Sequence, residues 1–169
     1  YNALDYHVAR GRGAHTALVY LNERGERRTF TYTELLAQVE RVSAALRGLG
    51  IGKGDRLTIY MPTSPEAIAL MLATVRIGAI HSVVFAGFGA AALGGRIDAS
   101  GSRLLFTCDV TWRKGKELDL KSIVDDAMKT SGQDVEHVIV LERRQAARPR
   151  SAREMTWDAF LKRGEGQSS

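Results

Sequence analysis

Arg76-Ile77-Gly78-Ala79-Ile80-His81-Ser82-Val83-Val84-Phe85-Ala86-Gly87-Phe88-Gly89 carries the end of a helix, a strand and a glycine-rich turn in one continuous run. The helix opens upstream at Ser64-Pro65-Glu66. Serine can accept from a free amide, proline already sits at helical φ, and the acid faces the positive end of the helix dipole. Ile68, Leu70, Met71, Leu72 and Val75 surround this helix with apolar side chains and predict that it is largely buried, and Gly78 ends it. Ile80 to Phe85 is almost uninterruptedly apolar, as expected of a central strand in a parallel sheet covered on both faces.

The same alternation extends in both directions. Ala17–Tyr20 and Arg28–Thr31 are short β-prone runs joined by the turn-like segment Asn22–Gly25, which predicts a hairpin. Thr31 and Glu34 have capping-box spacing, and Leu35, Val39, Val42, Leu46 and Leu49 then share one helical face before Gly50. Arg56–Tyr60 reads as a strand, Ala90–Ala99 as a helix weakened by Gly94 and Gly95, and Arg103–Cys108 as a strand. Leu118–Lys129 reads as a helix, His137–Leu141 as a strand, and the region of Trp157 and Phe160 as a short amphipathic turn. The pattern predicts an α/β fold, a partial doubly wound and mostly parallel sheet with flanking helices. Residues 1–163 form the expected domain, and 164–169, rich in glycine and serine, a disordered tail. The start at Tyr1 instead of methionine suggests a piece of something longer.

A chain of 169 residues can bury one sizeable core, and its 44% hydrophobic and 25% charged residues belong to an ordinary globular protein. The closest approach to a membrane span, Ala67–Val75, is far too short, so no membrane partner is expected. One cysteine, Cys108, excludes an internal disulfide, fits a reducing compartment with the cytoplasm as default, and reads as a small buried hydrophobe. With only four scattered histidines there is no metal-ligand spacing. The net charge of +5 owes much to Arg143, Arg144, Arg148, Arg150 and Arg153, a stretch interrupted by Pro149. Without aromatic residues interleaved to stack bases, it reads as a solvated loop and not as a nucleic-acid surface.

Two loops after predicted strands are chemically distinctive. Phe85-Ala86-Gly87-Phe88-Gly89 can let a ligand approach the backbone, although a tight packed turn explains its spacing slightly better. It is not a P-loop, because no Gly-Lys-Ser/Thr ending follows. Asp109-Val110-Thr111-Trp112-Arg113-Lys114-Gly115-Lys116 gathers three cations just before an expected helix start, a combination suited to phosphate. A solvated surface loop is the competing reading. His81 reads as a packed core histidine, Asp125 and Asp126 do not share a helical face, and Ser82 lacks nucleophile-elbow surroundings. No complete catalytic set can be assembled, so no catalytic residue is assigned.

Tyr1-Asn2-Ala3-Leu4-Asp5-Tyr6-His7 resembles the opening segment of acetyl-CoA synthetases. Thr31-Tyr32-Thr33-Glu34-Leu35 and Gly52-Lys53-Gly54-Asp55-Arg56 resemble segments widespread in the adenylate-forming superfamily. Tyr60-Met61-Pro62 and the run from Arg76 to Phe88 are closer to its acetyl- and propionyl-CoA synthetase branch. The likeness continues to about Met128 and, more loosely, to Trp157-Asp158-Ala159-Phe160.

The resemblance implies the N-terminal portion of the large domain of an AMP-forming ligase. Such enzymes join a small carboxylic acid to coenzyme A through an acyl-adenylate, using ATP and Mg in the full-length protein. It also implies that Phe85, Ala86, Gly87 and Phe88 lie beside the coenzyme A nucleotide, and that Arg113 and Lys116, with Lys114 and Gly115 between them, meet its phosphates. Lys116 stands where the family usually has arginine, and Ala86 where glycine is common. The family's phosphate loop, its adenine and ribose motifs and its adenylation lysine have no counterpart in these residues, so the remainder of the enzyme is the expected partner. The alternative is a truncated, non-catalytic module that binds coenzyme A or a related nucleotide.

Overall fold

A computed structural model describes residues 1–144 and 151–169. Arg148, Pro149 and Arg150 lie outside the described residues. A short helical turn, α1 (Asp5–His7), precedes a hairpin of β1 (Thr16–Leu21) and β2 (Arg27–Thr31), paired antiparallel as expected. Helix α2 (Tyr32–Gly48) starts at the foreseen capping box: Thr31 accepts from the amide of Glu34, and the Glu34 carboxylate accepts from that of Thr31 at 2.8 Å.

There follow β3 (Arg56–Tyr60), α3 (Pro65–Arg76), β4 (Ile80–Val83), α4 (Ala90–Ser100) and β5 (Leu104–Cys108). A second hairpin, β6 (Val110–Arg113) and β7 (Lys116–Asp119), leads to α5 (Leu120–Thr130), β8 (His137–Leu141), β9 (Glu154–Thr156) and α6 (Trp157–Lys162).

The main sheet is five-stranded and parallel, in the order β4-β3-β5-β8-β9. All five residues of β5 are buried, as a strand covered on both faces requires. Phe106 packs its ring edge-on against Phe160 at 5.2 Å and Trp157 at 6.2 Å, so the expected amphipathic turn is a short helix sealing the sheet. Thr156 caps that helix through the amide of Ala159 at 3.0 Å.

Two expectations are corrected by the structure. Of the apolar run Ile80–Phe85, only Ile80–Val83 is strand, and it stands at the edge of the sheet, not at its centre, with Ile80 and Val83 about half exposed and His81 half-buried beside them. Hydropathy alone cannot distinguish a strand flanked by two neighbours from one with a single neighbour. Helix α3 is less buried than its composition suggests, with Val75 63% exposed near the same edge. Strand β9 has no counterpart in the sequence reading, because three residues are too short to leave a periodic signature. Beyond α6, Gly164 lies so close to Ala44 and Ala45 that a Cβ would meet backbone at 2.7 Å, and Arg47 donates to Ser168 at 3.3 Å.

The two ends of the sheet differ in chemistry. At the amino ends of β3, β5 and β8, Arg103 pairs with Glu136 at 2.6 Å and Asp55 at 3.0 Å, and donates to the Gly50 carbonyl. A hydrogen bond from the Gly52 amide, with Arg103 behind it, holds the Asp55 pKa below the usual carboxylate value. The Arg103 hydrogen bond does the same for Glu136.

A carboxylate whose pKa is lower folded than unfolded adds stability above its unfolded pKa, and that gain is lost as pH falls through the folded value. Stability to urea is therefore expected to be flat between about pH 5 and 7 and to decline below about pH 4. A denaturation midpoint that holds level down to pH 3 would remove these carboxylates from the ledger.

Candidate functional site

The carboxyl ends of the same strands carry the candidate site. In this strand order the chain reverses between β3 and β5, and open α/β sheets bind ligands beyond the strand ends at such a switch point. A cleft of about 440 Å³ opens there, walled by Met61 and Pro62 after β3, Phe85 and Ala86 after β4, and Trp112 and Arg113 on β6.

The glycine-rich loop is anchored from beneath. Tyr60, fully buried at the end of β3, donates its hydroxyl to the Phe88 carbonyl at 2.6 Å. Burial raises its pKa, which keeps that donor proton in place. Phe85 and Phe88 meet edge to face at 5.9 Å, and Phe85 remains 57% exposed, presenting an aromatic surface to the cleft. Arg96 from α4 lies 5.1 Å over the Phe88 ring.

The expected charged loop proves to be the β6–β7 hairpin, so its cations do not sit at a helix start. Val110 and Trp112 alternate on one face of the ribbon while Leu118 pairs with Thr111 on the other, and α5 begins only at Leu120, capped by Asp119 through the Ser122 amide at 3.0 Å. Lys114 and Gly115 form the turn with φ of 51° and 72°, the positive pair that tight hairpins need. Lysine is a costly residue in that conformation, about 1 kcal/mol worse than glycine by general sterics.

The hairpin preserves the case for an anion in a different form. Arg113 and Lys116 are paired directly across the two strands, and like charges placed opposite one another repel unless an anion lies between or above them. Lys114 and Gly115 occupy the tip. The structure also joins the two loops: the Arg113 guanidinium lies 5.0 Å over the Phe85 ring. A Cβ on Gly87 would fall 2.3 Å from Arg113 Nη1 and 2.5 Å from the Phe85 ring, so only glycine leaves room for that stack.

Asp109 gave no signal in the sequence beyond its place after a strand. It is 4% exposed, and its carboxylate accepts from the amides of Val110, Arg143 and Arg144 at 2.7–2.9 Å. Its carbonyl accepts from Leu120 and Lys121. One residue thereby fixes the root of the hairpin, the start of α5 and the exit of β8. The arginines of the basic stretch that are described are not simply solvated: Arg143 lies over Trp112, Arg144 pairs with Glu117 and Arg153 with Asp134.

Other polar groups serve structure. Cys108 is fully buried, with its thiol pKa pushed up to about 12 by burial, and is an inert core residue as expected. Lys121 bridges Asp125 and Glu154, while Asp126 pairs with Lys129 at 2.8 Å. Among the described residues, no three His, Cys, Asp or Glu side chains are grouped to hold a metal ion, and no helix is long and apolar enough to cross a membrane.

The described residues thus form a parallel α/β sheet with an aromatic and cationic cleft at its switch point. The chain belongs to the family of AMP-binding enzymes, whose profile matches residues 5–165. It is 49% identical over 143 residues to the acetyl-coenzyme A synthetase of Deinococcus radiodurans, and 47% over 145 residues to the 3-hydroxypropionyl-coenzyme A synthetase of Metallosphaera sedula. Each alignment takes in 85% of this chain and 22% of the relative, so the chain spans between a fifth and a quarter of those proteins. Its fold superposes on acetoacetyl-CoA synthetase from Streptomyces lividans with a TM-score of 0.82 at 28% identity, covering 99% of this chain and 24% of that one.

Proposed function

We propose that this chain is the N-terminal portion of the large domain of an AMP-forming ligase that joins a small carboxylic acid to coenzyme A, and that its two loops form part of the coenzyme A site. The observation that carries this reading is the stack of Arg113 on Phe85 in the space left by Gly87, with Lys116 across from Arg113. An exposed aromatic face beside paired cations suits a nucleotide, offering a surface for the base and charge for the phosphates.

When bound, coenzyme A supplies the thiol that accepts the acyl group; these residues hold its nucleotide end and leave the thiol free to reach the acyl-adenylate. ATP and Mg would be held by the remainder of the enzyme. We place the reaction in the cytoplasm, the default compartment for a chain with a single cysteine.

Gly87→Ala in the full-length ligase tests the stack. The added methyl must displace either the Arg113 guanidinium or the Phe85 ring, and the arginine is the more easily moved. Coenzyme A affinity should fall by up to about tenfold with little change in thermal midpoint, since an exposed charged contact is worth roughly one decade. Unchanged affinity would mean that the loop does not hold the nucleotide.

The isolated 169-residue chain is expected to be inactive, because most of what adenylation requires is the binding and orientation of the triphosphate. Carboxylate-dependent ATP–pyrophosphate exchange by this chain, above a mock preparation, would overturn that expectation. Retention of coenzyme A binding by a naturally short protein without exchange would favour the non-catalytic module.

A further inference from the structure

We propose that the β1–β2 turn, through Glu23 and Arg24, is a positioning clamp for the β6–β7 hairpin and hence for Arg113 and Lys116. Its consequence for ligand binding rests on the coenzyme A reading; its mechanics do not. The β6–β7 ribbon forms its own two-stranded sheet and shares no strand with the five-stranded one. A lone two-stranded ribbon is marginal in water, so contacts from outside must hold its orientation. Asp109 fixes the root of the ribbon but lies at the far end from the turn.

Besides the stack of Arg113 on Phe85 and the pair of Arg144 with Glu117, the β1–β2 turn grips the tip itself. The amide of Lys114, the residue at φ 51°, donates to the Glu23 carboxylate at 3.0 Å, across 91 residues of sequence. Arg24 lies 4.4 Å over the Trp112 ring, and Arg143 from the exit of β8 lies 4.9 Å from the same ring. Trp112 immediately precedes Arg113, so holding the indole sets the register and tilt of the cation next to it. The clamp is itself organised in advance, because Asn22 accepts from the amides of Arg24 and Glu26 at 3.0 and 2.9 Å. Glu23 also brings negative charge to the crowded end of a ribbon carrying Arg113, Lys114 and Lys116.

The test uses the full-length enzyme with Glu23→Ala and Arg24→Gln, both exposed positions that can change without emptying the core. Amide hydrogen exchange across residues 110–119 is read alongside calorimetric titration with coenzyme A. Each lost contact should speed exchange of the ribbon about two- to fivefold, the factor a surface cation–π or amide contact is worth, and should weaken coenzyme A to a similar extent. Trp112→Phe keeps a ring face and should retain more protection than Trp112→Leu.

Exchange unchanged in both clamp variants would overturn the proposal. So would faster exchange with coenzyme A affinity intact, if Arg113→Ala in the same assay does weaken binding. If none of the variants, Arg113→Ala included, alters coenzyme A affinity while exchange still accelerates, the clamp stands and the coenzyme A reading falls.

Discussion

In the full-length ligase, Arg113→Ala is expected to raise the coenzyme A requirement by about one decade and at most two, the worth of a charge-assisted contact to phosphate at an exposed site. On that reading the guanidinium acts from where the structure holds it, over Phe85 and across from Lys116, and not from a helix end. The loss should be smaller with dephospho-coenzyme A if the contact is to the 3′-phosphate. In the unmodified enzyme, the preference for coenzyme A over its dephospho form should shrink as salt rises, because these charges are open to screening. Lys116→Arg is expected to tighten binding, since a planar fork can take two phosphate oxygens where an ammonium offers a point charge. Equal losses for coenzyme A and its dephospho form would move the contact to the pyrophosphate.

Asp109→Ala should cost the chain about 3 kcal/mol or more, the largest single loss expected outside the apolar core. Three backbone amides that now bond a buried carboxylate would be left without it, and hydrogen bonds to a charged acceptor are worth about 1.5–3 kcal/mol each before relaxation. Asp109→Asn should cost less. One oxygen can still serve Val110 and Arg143, but an NH₂ group would then face the amide of Arg144. Urea denaturation of the three proteins gives the comparison directly. A loss below about 1 kcal/mol in the alanine variant would show that water replaces the carboxylate, and that this junction does not hold the hairpin root.

Much of the fold was legible because its signals are local. The Thr31–Glu34 box and the Ser64 cap act over three residues, and the alternation of strands and helices follows from periods of two and about four. The order of strands is not local, and that is why the apolar run of β4 was expected at the centre of the sheet and stands at its edge. The β6–β7 hairpin was obscured by its own chemistry. Lys114-Gly115 replaces the asparagine-glycine pair that announces such turns, and three cations draw attention to charge and away from the short alternation of Val110 and Trp112.

The residue types of the candidate site are visible in Phe85-Ala86-Gly87-Phe88 and Arg113 to Lys116, but the contact between the two loops is not. It depends on a chain reversal between β3 and β5. Asp109 was invisible for a related reason, since two of its three side-chain partners lie 34 and 35 residues away.

The most direct test of the coenzyme A site compares the two half-reactions in one Arg113→Ala preparation of the full-length enzyme. Carboxylate-dependent pyrophosphate exchange reports adenylation, and thioester formation from preformed acyl-adenylate reports use of coenzyme A. The expected result is exchange near the unmodified rate, with thioester formation at low coenzyme A reduced about ten- to a hundredfold. Exchange that falls as far as thioester formation would contradict it, and would show that this hairpin supports the fold or the ATP site and does not hold coenzyme A.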